Sequence, residues 1–199
     1  MKGANVRALD VTTAALATRR LTLRPWSSSD LTAFHDVFGD PRVIYWGSFS
    51  RSLEESTRRL ERALAEQDLP RPGLGRFAVA LRSTGAVIGN VNLRPANFAE
   101  GIELGYHFAH AAWGHGYATE AARAILDYGF DVVGLDRIIA AIEVNNARSL
   151  RVIAKLGFVQ TYEADHAGAP HRMFELRLGS HATGGHHVAP GLQGGEREV

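Results

Sequence analysis

The eight residues Trp113 to Glu120, WGHGYATE, constrain this chain more than any other stretch, because two glycines fall where an extended segment gives way to a helical one. Before them GIELGYHF, Gly101 to Phe108, reads as a strand; after them ATEAARAILDYGFDVV reads as a helix. Gly114 and Gly116 permit positive φ and a close approach of backbone to a ligand. A helix beginning directly afterwards presents unpaired N–H groups and a positive dipole end. Together they predict an anion cradle. Nucleotide-binding templates fit poorly: no Lys-Ser or Lys-Thr follows the glycines, and GHG lacks the third glycine of a dinucleotide fingerprint.

About thirty residues on, EVNNARSLRVIAKLGF, Glu143 to Phe158, carries a second pattern: Asn146, a small residue three later at Ser149, and Gly157-Phe158 eleven and twelve later. WGHGYA resembles the acetyl-CoA pyrophosphate loop of the GNAT N-acetyltransferase superfamily, Gln or Arg, x, x, Gly, x, Gly or Ala, in the form found in its ribosomal-protein N-terminal acetyltransferase branch. The second stretch resembles that superfamily's asparagine signature. Trp113 stands where many members have Gln or Arg. The resemblance runs from about Thr18 to Leu178. It implies an α+β fold, a mixed and mostly antiparallel sheet flanked by helices, that moves the acetyl group of acetyl-CoA to a primary amine.

The order of elements is readable without the resemblance. RRLTLRPW alternates Leu21 and Leu23 with polar neighbours, a half-buried strand closed by Pro25. SSSD offers N-cap residues before the stripe Leu31, Phe34, Phe38. Ser52 to Glu55, SLEE, matches a capping box ahead of Leu53, Leu60 and Leu64. RFAVALR and AVIGNVNLRP, split by Ser83-Thr84-Gly85, predict a hairpin, and Gly101 to Phe108 the next antiparallel strand. RIIAAIEV then reads as a buried strand, ARSLRVIAKLG as a helix ended by Gly157, and FVQTYE and HRMFELRL as a final strand pair.

At 199 residues the chain suffices for one domain and its core. That domain is expected over residues 18–178, between a mobile cytoplasmic leader at 1–17, which Asp10 makes unfit as a signal peptide, and a disordered tail at 179–199. The tail holds six glycines in 21 residues and little to bury. Its His181, His186 and His187 lack the rest of a coordination shell, so no metal is expected. With 22 basic against 21 acidic side chains the net charge is +1, which gives no case for nucleic acid or an anionic membrane as partner. The absence of cysteine excludes disulfides and thiolate chemistry. A cytoplasmic location is expected; a homodimer is compatible with the resemblance.

Acetyl transfer from a thioester needs a held donor, a neutral amine, a donor to the developing oxyanion and a hydrogen bond or proton for the leaving sulfur. Trp113, Gly114, His115, Gly116, Tyr117, Ala118 and Thr119 form the predicted cradle, with Glu120 serving the helix start. The resemblance further implies that the Phe108 backbone N–H faces the thioester carbonyl and that Asn146 holds the pantetheine arm. It places Ser149 near the sulfur, where Ile153 replaces the tyrosine of many members; Ser149 would also cap its helix. Glu103 and Glu143 are both strand carboxylates suited to take the amine's proton, directly or through water, and the case that neither does so stays open. Tyr45 and Trp46 stand where the superfamily's acceptor cleft is lined. The acceptor, a protein N-terminus such as a ribosomal protein's, a polyamine or an antibiotic, stays open, as does a non-catalytic acyl-CoA-binding module.

Overall fold

A computed structural model describes residues 15–43, 52–65, 74–166 and 168–180. Twelve regular elements follow in chain order: β1 (Leu16–Ala17), β2 (Leu21–Pro25), α1 (Leu31–Phe38), α2 (Leu53–Ala65), β3 (Gly75–Leu81), β4 (Val87–Pro95), β5 (Ile102–Phe108), α3 (Tyr117–Asp131), β6 (Arg137–Glu143), α4 (Ala147–Leu156), β7 (Val159–His166) and β8 (Ala169–Arg177). The eight strands form one sheet in the order β1-β2-β3-β4-β5-β6-β8-β7. This is the expected mixed sheet, antiparallel everywhere except between β5 and β6. Leu16 and Ala17, assigned above to the leader, instead pair with Leu23 and Thr22, because Leu16 reaches the core.

Local chemistry explains where elements start. Ser52 Oγ accepts from the Glu55 N–H at 3.1 Å while Glu55 receives the Ser52 N–H at 3.3 Å, the reciprocal box that begins α2. Ahead of α1, Asp30 accepts the Ser27 N–H and both terminal nitrogens of Arg24, at 2.9, 2.7 and 2.8 Å. That pairing holds the Asp30 carboxyl below its ordinary range against the opposing effect of its burial.

Two apolar layers enclose the sheet. On one face α3 and α4 cover Leu21, Leu23, Val91, Leu93, Ile138 and Leu176. The α3 face is built from Ala121, Ala122 and Ala124 beside Ile125 and Leu126, which lets its axis approach closely. At Gly129 a Cβ would stand 2.8 Å from Leu93 and 3.2 Å from Ile138, so the helix crosses the strands at a distance only glycine permits. On the other face α1 and α2 bury Trp26, Phe34, Val37, Phe38, Leu60 and Ala63 against Ala78.

The break in the sheet positions the site. β5 and β6 pair only at Ile102↔Ile138 and Glu103↔Ile139. Beyond these rows β5 stays on β4 as far as Phe108, while β6 stays on β8 as far as Glu143. The two halves of the sheet therefore part like a V, leaving facing strand edges free for a ligand.

Candidate active site

The cleft at this parting encloses about 440 Å³ between β5, the loop before α3, and the first turns of α3 and α4. Gly114 and Gly116 take φ of +82° and +79°, and Gly116 is the left-handed residue at which α3 begins. A Cβ on Gly116 would meet only an Arg20 terminal nitrogen at 3.6 Å, so φ, not space, demands the glycine. The first helical bond of α3 runs from the Glu120 N–H to the Gly116 carbonyl. The N–H groups of Tyr117, Ala118 and Thr119 thus have no acceptor within the helix, and all three residues line the cleft.

Trp113 does more here than tolerate a departure from Gln or Arg. Its indole Nε1–H donates to the Phe108 carbonyl at 2.8 Å, tying the glycine loop to the end of β5. Arg148 of α4 covers the same ring at 4.3 Å from its centroid. His115 lies outside the cleft: its Nδ1 is 2.8 Å from the Trp113 carbonyl and its ring stacks on Tyr117. Glu120 does not cap α3. It accepts from the Thr18 hydroxyl at 2.6 Å and from the Arg20 backbone and Nε at 2.9 and 2.7 Å, pinning the β1–β2 turn to the cradle helix.

Across the cleft, Asn146 caps α4 in the place proposed for Ser149: its Oδ1 accepts the Ser149 N–H at 3.1 Å. The Asn146 amide nitrogen remains a donor beside the cleft, and Ser149 itself lines it. Ile153 is fully buried in the core. Tyr106, which the sequence reading passed over, enters from β5, and its hydroxyl donates to the Ser149 carbonyl at 3.4 Å. Burial pushes that phenol up to about 12. Four cations, Arg42, Arg148, Arg151 and Lys155, complete the lining. The spacing of the last three along α4 was the available signal for them.

Glu103 and Glu143 stand on the opposite face of the sheet from α3 and α4, the face carrying α1 and α2. Strand alternation requires it: Leu104 and Phe108 belong to the core under α3, so Glu103, Gly105 and His107 point the other way. On β6, Ile138, Ala140 and Ile142 face α3, which turns Ile139, Ala141 and Glu143 away. Glu103 occupies the last paired row before the strands part. Burial raises its carboxyl above the ordinary range against the attraction of Arg94, Arg76 and His171, and Arg94 approaches to 3.4 Å. Glu143 lies at the open end of β6, cross-strand from His171. Neither carboxylate lines the donor cleft. Tyr45 and Trp46 lie outside the described residues, although Arg42 and Val43 just before them reach the cleft.

Comparison with known proteins agrees with this geometry. Residues 20–159 match the acetyltransferase (GNAT) domain. The N-acetyltransferase p20 of Bacillus licheniformis is 31% identical over 145 residues, 72% of this chain and 81% of its own length. The protein YkkB of Bacillus subtilis is 34% identical over 145 residues, 71% of this chain and 83% of its own. An acetyltransferase structure from Agrobacterium tumefaciens superposes with a TM-score of 0.70 at 26% identity, covering 82% of this chain and 94% of that one. RimJ of Mycobacterium smegmatis, solved with CoA-disulfide, shares the fold at a TM-score of 0.71 and 21% identity, over 84% and 88% of the two chains. The chain belongs to the GNAT acetyltransferase family, and with that membership comes acetyl-CoA-dependent N-acyl transfer.

Proposed function

We propose that this enzyme holds acetyl-CoA in the cleft beside α3 and α4 and acetylates a primary amine that arrives from the α1–α2 face, with Glu103 receiving the amine's proton. One observation carries the reading: β5 parts from β6 just beyond Glu103, a largely buried carboxylate on one face, and the anion cradle lies along the same parting on the other. The residues fit the donor. Three unpaired helix N–H groups behind positive-φ glycines suit a pyrophosphate, and the four cations lining the cleft suit further phosphate charge. Acetyl-CoA supplies an activated acyl group on a good leaving sulfur.

The chain's own groups then divide the remaining work. The Ala109 N–H bonds to the Ile88 carbonyl on β4, and strand alternation turns the preceding Phe108 N–H toward the parted edge, where an acyl oxygen would be received. Trp113 steadies that backbone through the Phe108 carbonyl. Asn146 offers its amide nitrogen to the arm, and Ser149 offers a hydroxyl near the sulfur. Glu103, whose charged form burial disfavours, is poised to take a proton from an ammonium approaching on its own face. Glu143 on the same face makes the natural control.

Glu103→Gln should leave CoA affinity within twofold while kcat/KM for amine acetylation, read by thiol release, falls by ~10² or more, the range for loss of a general base. The deficit should shrink as pH rises and the amine deprotonates unaided. A loss confined to Glu143→Gln, with Glu103→Gln active, would transfer the role to the far end of β6.

A further inference from the structure

The closed end of the β7–β8 hairpin does not stay in the plane of the sheet. β7 lies three strands from β5 in the sheet order, roughly 14 Å away were the sheet flat. Yet the ring of His166 on β7 stands 5.1 Å from that of Phe98, in the loop between β4 and β5. His171 on β8 comes next, its ring 5.3 Å from that of His166. Both imidazoles belong to the α1–α2 face: His171 stands opposite Glu143 on β6 and Ala164 on β7, and His166 is two positions beyond Ala164. The hairpin end thus curls over the parting of β5 from β6 and returns toward the strand pair that carries Glu103 and Arg94. Charges report the same approach. Burial lowers the His166 imidazole, and repulsion from His171 and Arg94 adds to it. His171 is also among the groups whose attraction opposes the upward push of burial on Glu103.

His171 is 5% exposed, and one of its two ring nitrogens is committed. Nδ1 lies 2.8 Å from the Ala169 carbonyl, which can only accept, so the neutral ring carries its hydrogen there and presents a lone pair at Nε2. Nε2 forms no hydrogen bond among the described residues. Between Glu143 and Ile139 on this face β6 carries only the Ala141 methyl, which is partly exposed. The reaction has a use for such a lone pair. Turning an ammonium into an amide removes two protons from nitrogen as the carbon–nitrogen bond forms and the carbon–sulfur bond breaks, and a single carboxyl holds one. A carboxyl that burial has raised takes a proton readily and gives it up reluctantly.

We infer that His171 clears Glu103 between proton transfers: its Nε2 receives, directly or through one water, the proton that Glu103 takes from the ammonium, and releases it to solvent at the hairpin end. This deepens the reading that Glu103 is the amine's base and rests on it. The first proton leaves the ammonium for Glu103 and passes to His171, which becomes imidazolium. Glu103, again a carboxylate, takes the second from nitrogen once the carbon–nitrogen bond has formed, and the sulfur leaves as thiolate with its bonding pair. Glu103 on β5 and Glu143 on β6 supply negative charge that favours the imidazolium, against Arg94 on β4 and His166 on β7. His171 acts through Glu103 and has no contact to make with the substrate.

The test uses His171→Asn in the full chain, because the asparagine amide keeps a donor for the Ala169 carbonyl but has no counterpart of Nε2. Two acceptors are compared at pH 7 by thiol release: butylamine, which arrives as an ammonium, and trifluoroethylamine, which arrives largely neutral with one proton left to lose. kcat/KM should fall at least about tenfold with butylamine and less than about threefold with trifluoroethylamine, while CoA affinity and melting temperature stay at wild-type values. Added to Glu103→Gln, His171→Asn should cost nothing more, since the relay has then lost its source. Should His171→Asn melt below the assay temperature, His171→Gln is judged by the same ratio between the two amines. Equal losses with both amines, or losses of the two substitutions that multiply, would reduce His171 to a support for the hairpin and overturn the inference with Glu103 still in place. Full activity of His171→Asn beside a crippled Glu103→Gln would do the same. Butylamine acetylation that is absent, or that Glu103→Gln leaves unchanged, would overturn both readings.

Discussion

His107 shows how one side chain reports its surroundings. Burial and the neighbouring guanidinium groups hold its imidazole near 4 rather than 6.5, so the folded protein resists a proton that the unfolded chain accepts readily. The unfolded state binds more protons between those values, and stability must fall as pH drops from 6.5 toward 4. The gap between 6.5 and about 4 corresponds to a contribution of about 1–3 kcal/mol. His107→Gln should therefore flatten the loss of urea midpoint between pH 6.5 and 4.5; an identical slope in the variant would show that the imidazole titrates normally. Nothing in the sequence announces this. GYHF shows a histidine in a strand, whereas the field acting on it comes from Arg59, Arg76 and Arg94, up to 48 positions away. The same holds for Glu103 and Glu143: both were legible as strand carboxylates, but their different settings follow from the register that places Glu103 beside Arg94 and Glu143 at the strand's open end.

Among the elements, those with strong local signals were readable in advance. Glycines ended or began helices where Gly157 and Gly116 take left-handed φ, alternation marked β2, and SLEE opened α2 through both bonds of its box. The two-residue β1 was missed because its warrant lies outside its own sequence, in the pairing with β2 and in Leu16 reaching the core. The insertion of β8 between β6 and β7, and the parting of β5 from β6, are decisions between distant segments that no window of sequence contains. The start of α4 offers a test at this scale. Asn146 Oδ1 closes the first turn on the Ser149 N–H, and that turn carries Ser149 and Arg148 into the cleft. Asn146→Ala should cost about 1 kcal/mol of stability, as cap losses do, and weaken CoA binding several-fold; Asn146→Asp should recover the stability but not the binding, because it restores the acceptor and removes the amide donor. Equal recovery of both would reduce Asn146 to a cap.

For the molecule as a whole, the account turns on a sheet used from both sides. In the proposed reading, the face covered by α3 and α4 supplies backbone N–H groups and cations to a polyanionic donor, and the face beneath α1 and α2 supplies a largely buried carboxylate beside Arg94. In that reading the parted strands are the passage through which the two substrates meet. No helix among the described residues is long and apolar enough to cross a membrane. The most direct measurement is a crystal structure with a bisubstrate conjugate, CoA joined through its sulfur by an acetyl bridge to the nitrogen of a primary alkylamine. The account predicts the pyrophosphate on the N–H groups of Tyr117 to Thr119, the bridge between β5 and β6 next to the Phe108 N–H, and the former amine nitrogen beside Glu103 on the α1–α2 face. A conjugate whose amine portion lay on the α3–α4 face, away from Glu103, would contradict it.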